Sequence, residues 1–83
     1  MKLFEPFNDK LEIYSSGKTI QLKSKLPIPC CWIKVSDAAG KIIFKTIEKE
    51  LTETTIPLNV KAGFYGVTLI TEKSFATKMV YLE

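Results

Sequence analysis

Apolar and polar residues alternate with period two along almost the whole of this chain, and turn-forming residues interrupt the alternation at short intervals. Period two is the side-chain spacing on one face of a β-strand, and no run repeats at the 3.6-residue spacing of a helix. The segment Lys10-Leu11-Glu12-Ile13-Tyr14 alternates up to Ser15-Ser16-Gly17, and Lys18 to Lys23 alternates again with Ile20 and Leu22 on one face. Next comes Leu26-Pro27-Ile28-Pro29, where two prolines each remove a donor, so the segment reads as an edge crossing between strands. Cys31, Ile33 and Val35 then share one face and Cys30, Trp32, Lys34 and Ser36 the other, ahead of a turn at Asp37-Ala38-Ala39-Gly40. Lys41 to Thr46 is the hairpin partner; apolar on both faces in its middle, it is expected to be a central strand. Glu48-Lys49-Glu50 reads as a loop, and Thr52 to Leu58 as a β-branched strand whose end Pro57 places at an edge. Gly63 to Thr71 and Phe75 to Leu82 form a last hairpin around the polar turn Glu72-Lys73-Ser74.

About seven short strands with these turns are the pattern of an all-β immunoglobulin-like β-sandwich. With 83 residues the chain has room for one modest core, since a domain of this size buries only about 60% of its unfolded surface. Residues 1–8 are expected to be a linker or extended N-terminal segment, and residues 9–83 a single sandwich domain. No apolar run approaches the roughly 20 residues of a membrane-spanning helix. Glu5 and Pro6 stand where a secretory signal would have its apolar centre, so an exported form would carry its signal upstream.

The net charge of +3 comes from twelve lysines and no arginine, spread through every segment. A nucleic-acid partner is not expected, because neither arginine forks nor a basic block interleaved with aromatics is present. The chain has no histidine, which removes the commonest general acid/base and metal ligand. Cys30 and Cys31 are neighbours whose side chains point to opposite faces of a strand, so one packs, the other is half-exposed, and a disulfide between them is not expected. Neither metal nor cofactor is implied. Asp9, Glu12, Asp37, Glu48, Glu50, Glu53 and Glu72 lie beside turns or on polar faces, and Ser15, Ser16, Ser36 and Ser74 have no histidine to activate them. No enzyme is expected.

The glycines have mechanical readings: Gly63 turns a loop into a strand, Gly40 supplies positive φ in a hairpin, and Gly66 lets a neighbour come close. Alternation sends Tyr65, Val67 and Leu69 toward the core, where the tyrosine hydroxyl needs a partner. The aromatic pair Phe64-Tyr65 is read as core packing. Trp32 is the large aromatic that alternation sends outward, as cover for a sandwich edge or as part of a binding patch.

Four segments in order, "PFNDKLEI" (6–13), "IKVSDAAGKIIF" (33–44), "AGFYGVTL" (62–69) and "TKMVYL" (77–82), resemble the motifs of the C-terminal sorting domain of the Por, or type IX, secretion system of Bacteroidetes. The resemblance implies a seven-stranded sandwich at the C-terminus of exported proteins, recognised by outer-membrane translocon proteins and carried behind an upstream passenger domain. It implies passage through the periplasm to the cell surface or medium. Matched residue by residue, Asp37, Gly40 and Lys41 fall on the turn motif, Gly63 and Tyr65 on the Gly-x-Tyr motif, and Lys78 on the lysine of the last strand. Glu5 stands where that family usually has asparagine, Ser36 where it usually has tyrosine, and the chain closes on Tyr81-Leu82-Glu83 in place of a basic residue.

The "SDAAGKIIF" and "AGFYGVTL" segments also resemble a family of small secreted sandwiches of gut Bacteroides. That resemblance implies a free-standing or appended binding module of the cell envelope, for a protein or glycan ligand, with Trp32 on the binding face.

Overall fold

A computed structural model describes residues 11–72 and 75–83. The N-terminal segment expected at 1–8, the start of the domain at Asp9, the opening motif from Pro6, and the turn residues Lys73 and Ser74 lie outside the described residues. Among the described residues there are five strands: β1 (Leu11–Ser16), β2 (Thr19–Ser36), β3 (Ile42–Pro57), β4 (Gly63–Ile70) and β5 (Phe75–Leu82). All pairings are antiparallel, in the order β1-β2-β4-β5 with β3 on β2.

Strand β2 organises everything else. Its first part, from Thr19 to Ser24, pairs with β1, and its last part, from Trp32 to Ser36, pairs with β4. Strand β3 follows both parts, with a register shift between Lys23 and Ile28. Two layers result, one of β1 with the first part of β2 and the end of β3, the other of the start of β3, the last part of β2, β4 and β5. Ile13, Ile20, Leu22 and Ile56 from the first layer join Cys31, Ile33, Val35, Tyr65, Val67, Leu69, Val80 and Leu82 from the second in one buried cluster. With no helix among the described residues, the inner faces of the two layers have only each other to pack against.

The strand count differs from the expectation of about seven, and both differences have a local cause. Leu26 to Pro29 is not a crossing between strands but lies inside β2, where Ile28 pairs with Leu51 and Pro29 with Glu50. Here β2 has left β1 and not yet met β4, and period two puts both missing proline donors on one edge of the strand. Cys30, at φ +46°, then resets the alternation, so that Ile28 and Cys31 both lean inward. Likewise Glu48-Lys49-Glu50 is not a loop but part of β3, because an edge strand can carry charges to solvent. Nor is the start of β3 central: among the described residues β3 pairs with β2 alone. Its double-sided apolarity leaves Ile42 and Ile47 exposed.

On the opposite side the sheet closes. The Ser15 hydroxyl donates to the Tyr81 carbonyl at 2.7 Å and the Glu83 amide to the Gly17 carbonyl at 2.9 Å, tying the β1–β2 turn to the end of β5. That turn is a two-residue hairpin loop with Gly17 at φ +61°, the geometry a Gly-x type II′ turn requires.

Candidate functional site

The Asp37–Lys41 turn is built around one carboxylate. Asp37 Oδ1 accepts from the amides of Ala39 at 3.0 Å and Lys41 at 2.9 Å, and the Asp37 amide donates to the Lys41 carbonyl at 2.9 Å. Gly40 completes the turn at φ +90°, a conformation that costs a side chain more than a glycine. At the same end of the sheet, Tyr65 near the start of β4 donates its hydroxyl to the Lys61 carbonyl at 2.6 Å. This is the tyrosine corner of immunoglobulin-like sandwiches, in which the ring packs in the core and the hydroxyl ties down the incoming loop. Gly63 stands at φ +157°, and a Cβ there would meet only Tyr65 Cε1 at 4.0 Å. Gly66 is tighter, since its Cβ would lie 3.2 Å from Ser36 Oγ.

Turn residues Asp37, Gly40 and Lys41 therefore sit together, as do Gly63 and Tyr65, but neither group shares a face with Trp32. Lys78 of β5 pairs with buried Val67, yet is itself exposed. Strand β5 ends the strand order, and a charged residue on an edge strand discourages strand addition.

Trp32 belongs to a larger surface. Residues directly opposite each other share a face, so the register sets Ile47, Trp32, Ile70 and Phe75 in one row across the outer face of the four-stranded layer. Trp32 is 43% exposed, Ile47 51% and Phe75 42%. A second row, Lys45, Lys34, Thr68 and Thr77, runs beside it, with the two threonine hydroxyls 3.1 Å apart. The third holds Ile42 and Met79 on either side of Ser36 and Gly66. Beyond it, Phe64 and Tyr81 stack edge to face at 5.1 Å. With strands about 4.8 Å apart, each four-residue row spans about 14 Å. Phe64, expected in the core, points outward because only one member of an adjacent pair on a strand can face in, and Tyr65 takes that place.

Trp32 is thus the one member of this face singled out by alternation. The others, Lys34, Lys45, Ile47, Ile70, Phe75, Met79 and Tyr81, are joined to it only by register, which sequence fixes once both hairpins are aligned.

Under the face, Cys31 is buried and Cys30 exposed, and both thiols are free. Burial first, then the charge of Glu48 and the neighbouring Cys30, push the Cys31 thiol up to about 11, which keeps it protonated and unreactive at neutral pH. Among the described residues no cluster of His, Cys, Asp or Glu is arranged to hold a metal ion, and no helix is long and apolar enough to cross a membrane.

No family model and no curated protein matches the chain. Its fold is similar to that of a solved DUF3244 family protein with an immunoglobulin-like β-sandwich fold from Bacteroides vulgatus, with a TM-score of 0.80 at 20% identity over 93% of this chain and 89% of that one. The chain has an immunoglobulin-like β-sandwich fold. At this identity the likeness concerns fold alone. The neighbour matches the small Bacteroides sandwich resemblance in fold, and the sorting-domain resemblance rests on the sequence motifs.

Proposed function

We propose that this domain is a non-catalytic recognition module of an exported, cell-envelope protein, and that it binds a protein partner through the outer face of the four-stranded layer. One observation carries the reading: the row Ile47–Trp32–Ile70–Phe75, in which Ile47, Trp32 and Phe75 are exposed and Ile70 is half-buried, lies beside the row that holds Lys34 and Lys45. Contiguous exposed apolar surface is costly to leave in water and marks interaction sites. The two lysines beside it specify the partner's chemistry, since an apolar surface laid over them would strand two ammonium groups, whereas carboxylates would match them. A neutral carbohydrate stacks on aromatics but leaves the two ammonium groups without a counter-charge, whereas a protein supplies acidic and apolar groups together.

Trp32 is the chain's single tryptophan, so its emission reports this face directly. Titration with soluble copolymers of glutamate and leucine should blue-shift that emission and protect it from iodide quenching, and Lys34→Glu should weaken the effect. Equal responses to acidic and basic copolymers, or a response only to polysaccharide or anionic vesicles, would refute the reading.

A second reading, a sorting and anchoring module read by the outer-membrane translocon, rests on the four motifs in order and on the exposure of Lys78. Five of the six motif residues, Asp37, Gly40, Lys41, Gly63 and Tyr65, lie in a turn or corner that the fold itself uses, so they argue for the sandwich more than for the translocon. Fusing the chain to the C-terminus of a periplasm-targeted fluorescent protein, in Bacteroidetes hosts with and without the translocon, separates the readings. Translocon-dependent display that is lost in Lys78→Ala would establish sorting; retention of the folded fusion in the periplasm would eliminate it.

A further inference from the structure

We infer that the free edge of β3 is a second binding element, which takes an extended peptide strand of the pattern acid-x-apolar-x-acid. This goes beyond the face reading, because it rests on the edge.

The other edges of the sandwich are managed. The ends of β1 and β5 are tied together through Ser15–Tyr81 and Gly17–Glu83. The one-sided part of β2 carries Pro27 and Pro29. Strand β3 has no proline before its last residue, Pro57, and among the described residues it has no partner on its outer side. From Phe44 to Glu48 its register against Val35 to Cys31 is unbroken, so its backbone is held straight by one neighbour while every second N–H and C=O points away from it. The charges on such an edge deter an unmatched strand, so an added strand, whose side chains alternate between the layer's two faces, has to complement them.

Three residues that alternate onto the outer face set the chemistry. Lys45, Ile47 and Lys49 are all exposed, and Lys45 stands directly opposite Lys34. No carboxylate lies among the cross-strand neighbours of this pair, which include Trp32, Ser36, Ile47, Gly66, Thr68 and Ile70. Like charges set opposite each other destabilise a sheet, and opposite charges stabilise it. An incoming strand that places acids against Lys45 and Lys49 and an apolar residue against Ile47 would relieve the repulsion and extend the Ile47–Trp32–Ile70–Phe75 row by one side chain. A second copy of the chain fits worse, because two β3 edges paired about Ile47 would set Lys45 against Lys49.

The test is an NMR titration of the full chain with the peptide Thr-Glu-Thr-Ile-Thr-Glu-Thr, capped at both ends. Its controls are Thr-Lys-Thr-Ile-Thr-Lys-Thr and an N-methylated acidic version that cannot form the ladder. The acidic peptide should shift and protect the outward amides between Phe44 and Glu50, and the lysine peptide should bind about tenfold more weakly. N-methylation should abolish binding, and the double substitution Lys45→Glu and Lys49→Glu should reverse the preference while leaving the remaining spectrum native. No binding at millimolar peptide, equal affinity for the two charge patterns, or concentration-dependent self-association through β3 would each overturn the edge. Acidic ligands that move Trp32 and leave the β3 amides unshifted would overturn the edge alone and leave the face reading intact.

Discussion

Tyr65→Phe removes one oxygen and leaves the surface of the domain unchanged. The ring stays in the cluster with Val67, Leu69 and Val80, so no cavity forms. What is lost is the 2.6 Å hydrogen bond to the Lys61 carbonyl. Lys61 itself is exposed, so its carbonyl can turn to water and the loss is that of a net hydrogen bond, about 1 to 1.5 kcal/mol. A chain of this length unfolds with an entropy near 0.17 kcal/mol/K, so the melting temperature should fall by roughly 6 to 9 °C. The urea midpoint should fall by about 1 M if the slope is near 1 kcal/mol/M. Thermal and urea unfolding followed by far-ultraviolet circular dichroism would measure both. A melting temperature within 2 °C of wild type, on the order of 0.3 kcal/mol, would mean that the corner bond adds nothing and that the ring alone anchors the loop. The same variant separates fold from recognition. If Tyr65 were read by a translocon through its hydroxyl, export would fail in a protein whose loss of stability is too small to unfold it.

Gly40→Ala should cost about 1 kcal/mol or more, because φ +90° strains an alanine although nothing lies within 4 Å of its Cβ; chemical denaturation checks it. Gly63→Ala should also destabilise the domain, because φ +157° is a backbone that L side chains rarely adopt, even though the nearest neighbour of its Cβ is at 4.0 Å; the same denaturation experiment checks it. Leu51→Ala should lose about 2 to 5 kcal/mol, because Leu51 is fully buried; a loss below 1 kcal/mol would show that β3 does not reach the core there. Stability should also decline at high pH. The Cys31 thiol is raised from 9.0 to about 11, so the folded state holds its proton more tightly than the unfolded state. The resulting stabilisation is complete below about pH 9 and is lost as pH rises toward 11, at most about 3 kcal/mol. Cys31→Val should flatten that decline in urea midpoints measured from pH 8 to 11.

The residues whose pattern comes from burial were legible, and those whose role comes from pairing were not. Ile20 with Leu22, and Cys31 with Ile33 and Val35, announce the core because water exclusion acts on each side chain separately and leaves its period in the sequence. Gly40 and the Tyr65 hydroxyl were legible for a related reason, since each answers a local need for a left-handed turn or a buried donor's partner. The continuity of β2 through two prolines and of β3 through Glu48-Lys49-Glu50 was hidden, because hydrogen-bonded strands can pass through a proline or a charge wherever one side is open. Cys30 deepened the disguise: its positive φ shifts the alternation by one residue, so a single strand shows two successive phases and reads as two strands. The same reasoning explains why only Trp32 of the outer face stood out. A large aromatic on the wrong side of an alternation is conspicuous alone, whereas Ile47, Ile70 and Phe75 become a surface only when the register lays them beside it. Misplacing β3 at the centre of the sheet hid the rest. Apolar outer residues read as burial in a strand with two neighbours, and as an open edge beside an exposed face in a strand with one, as β3 is among the described residues.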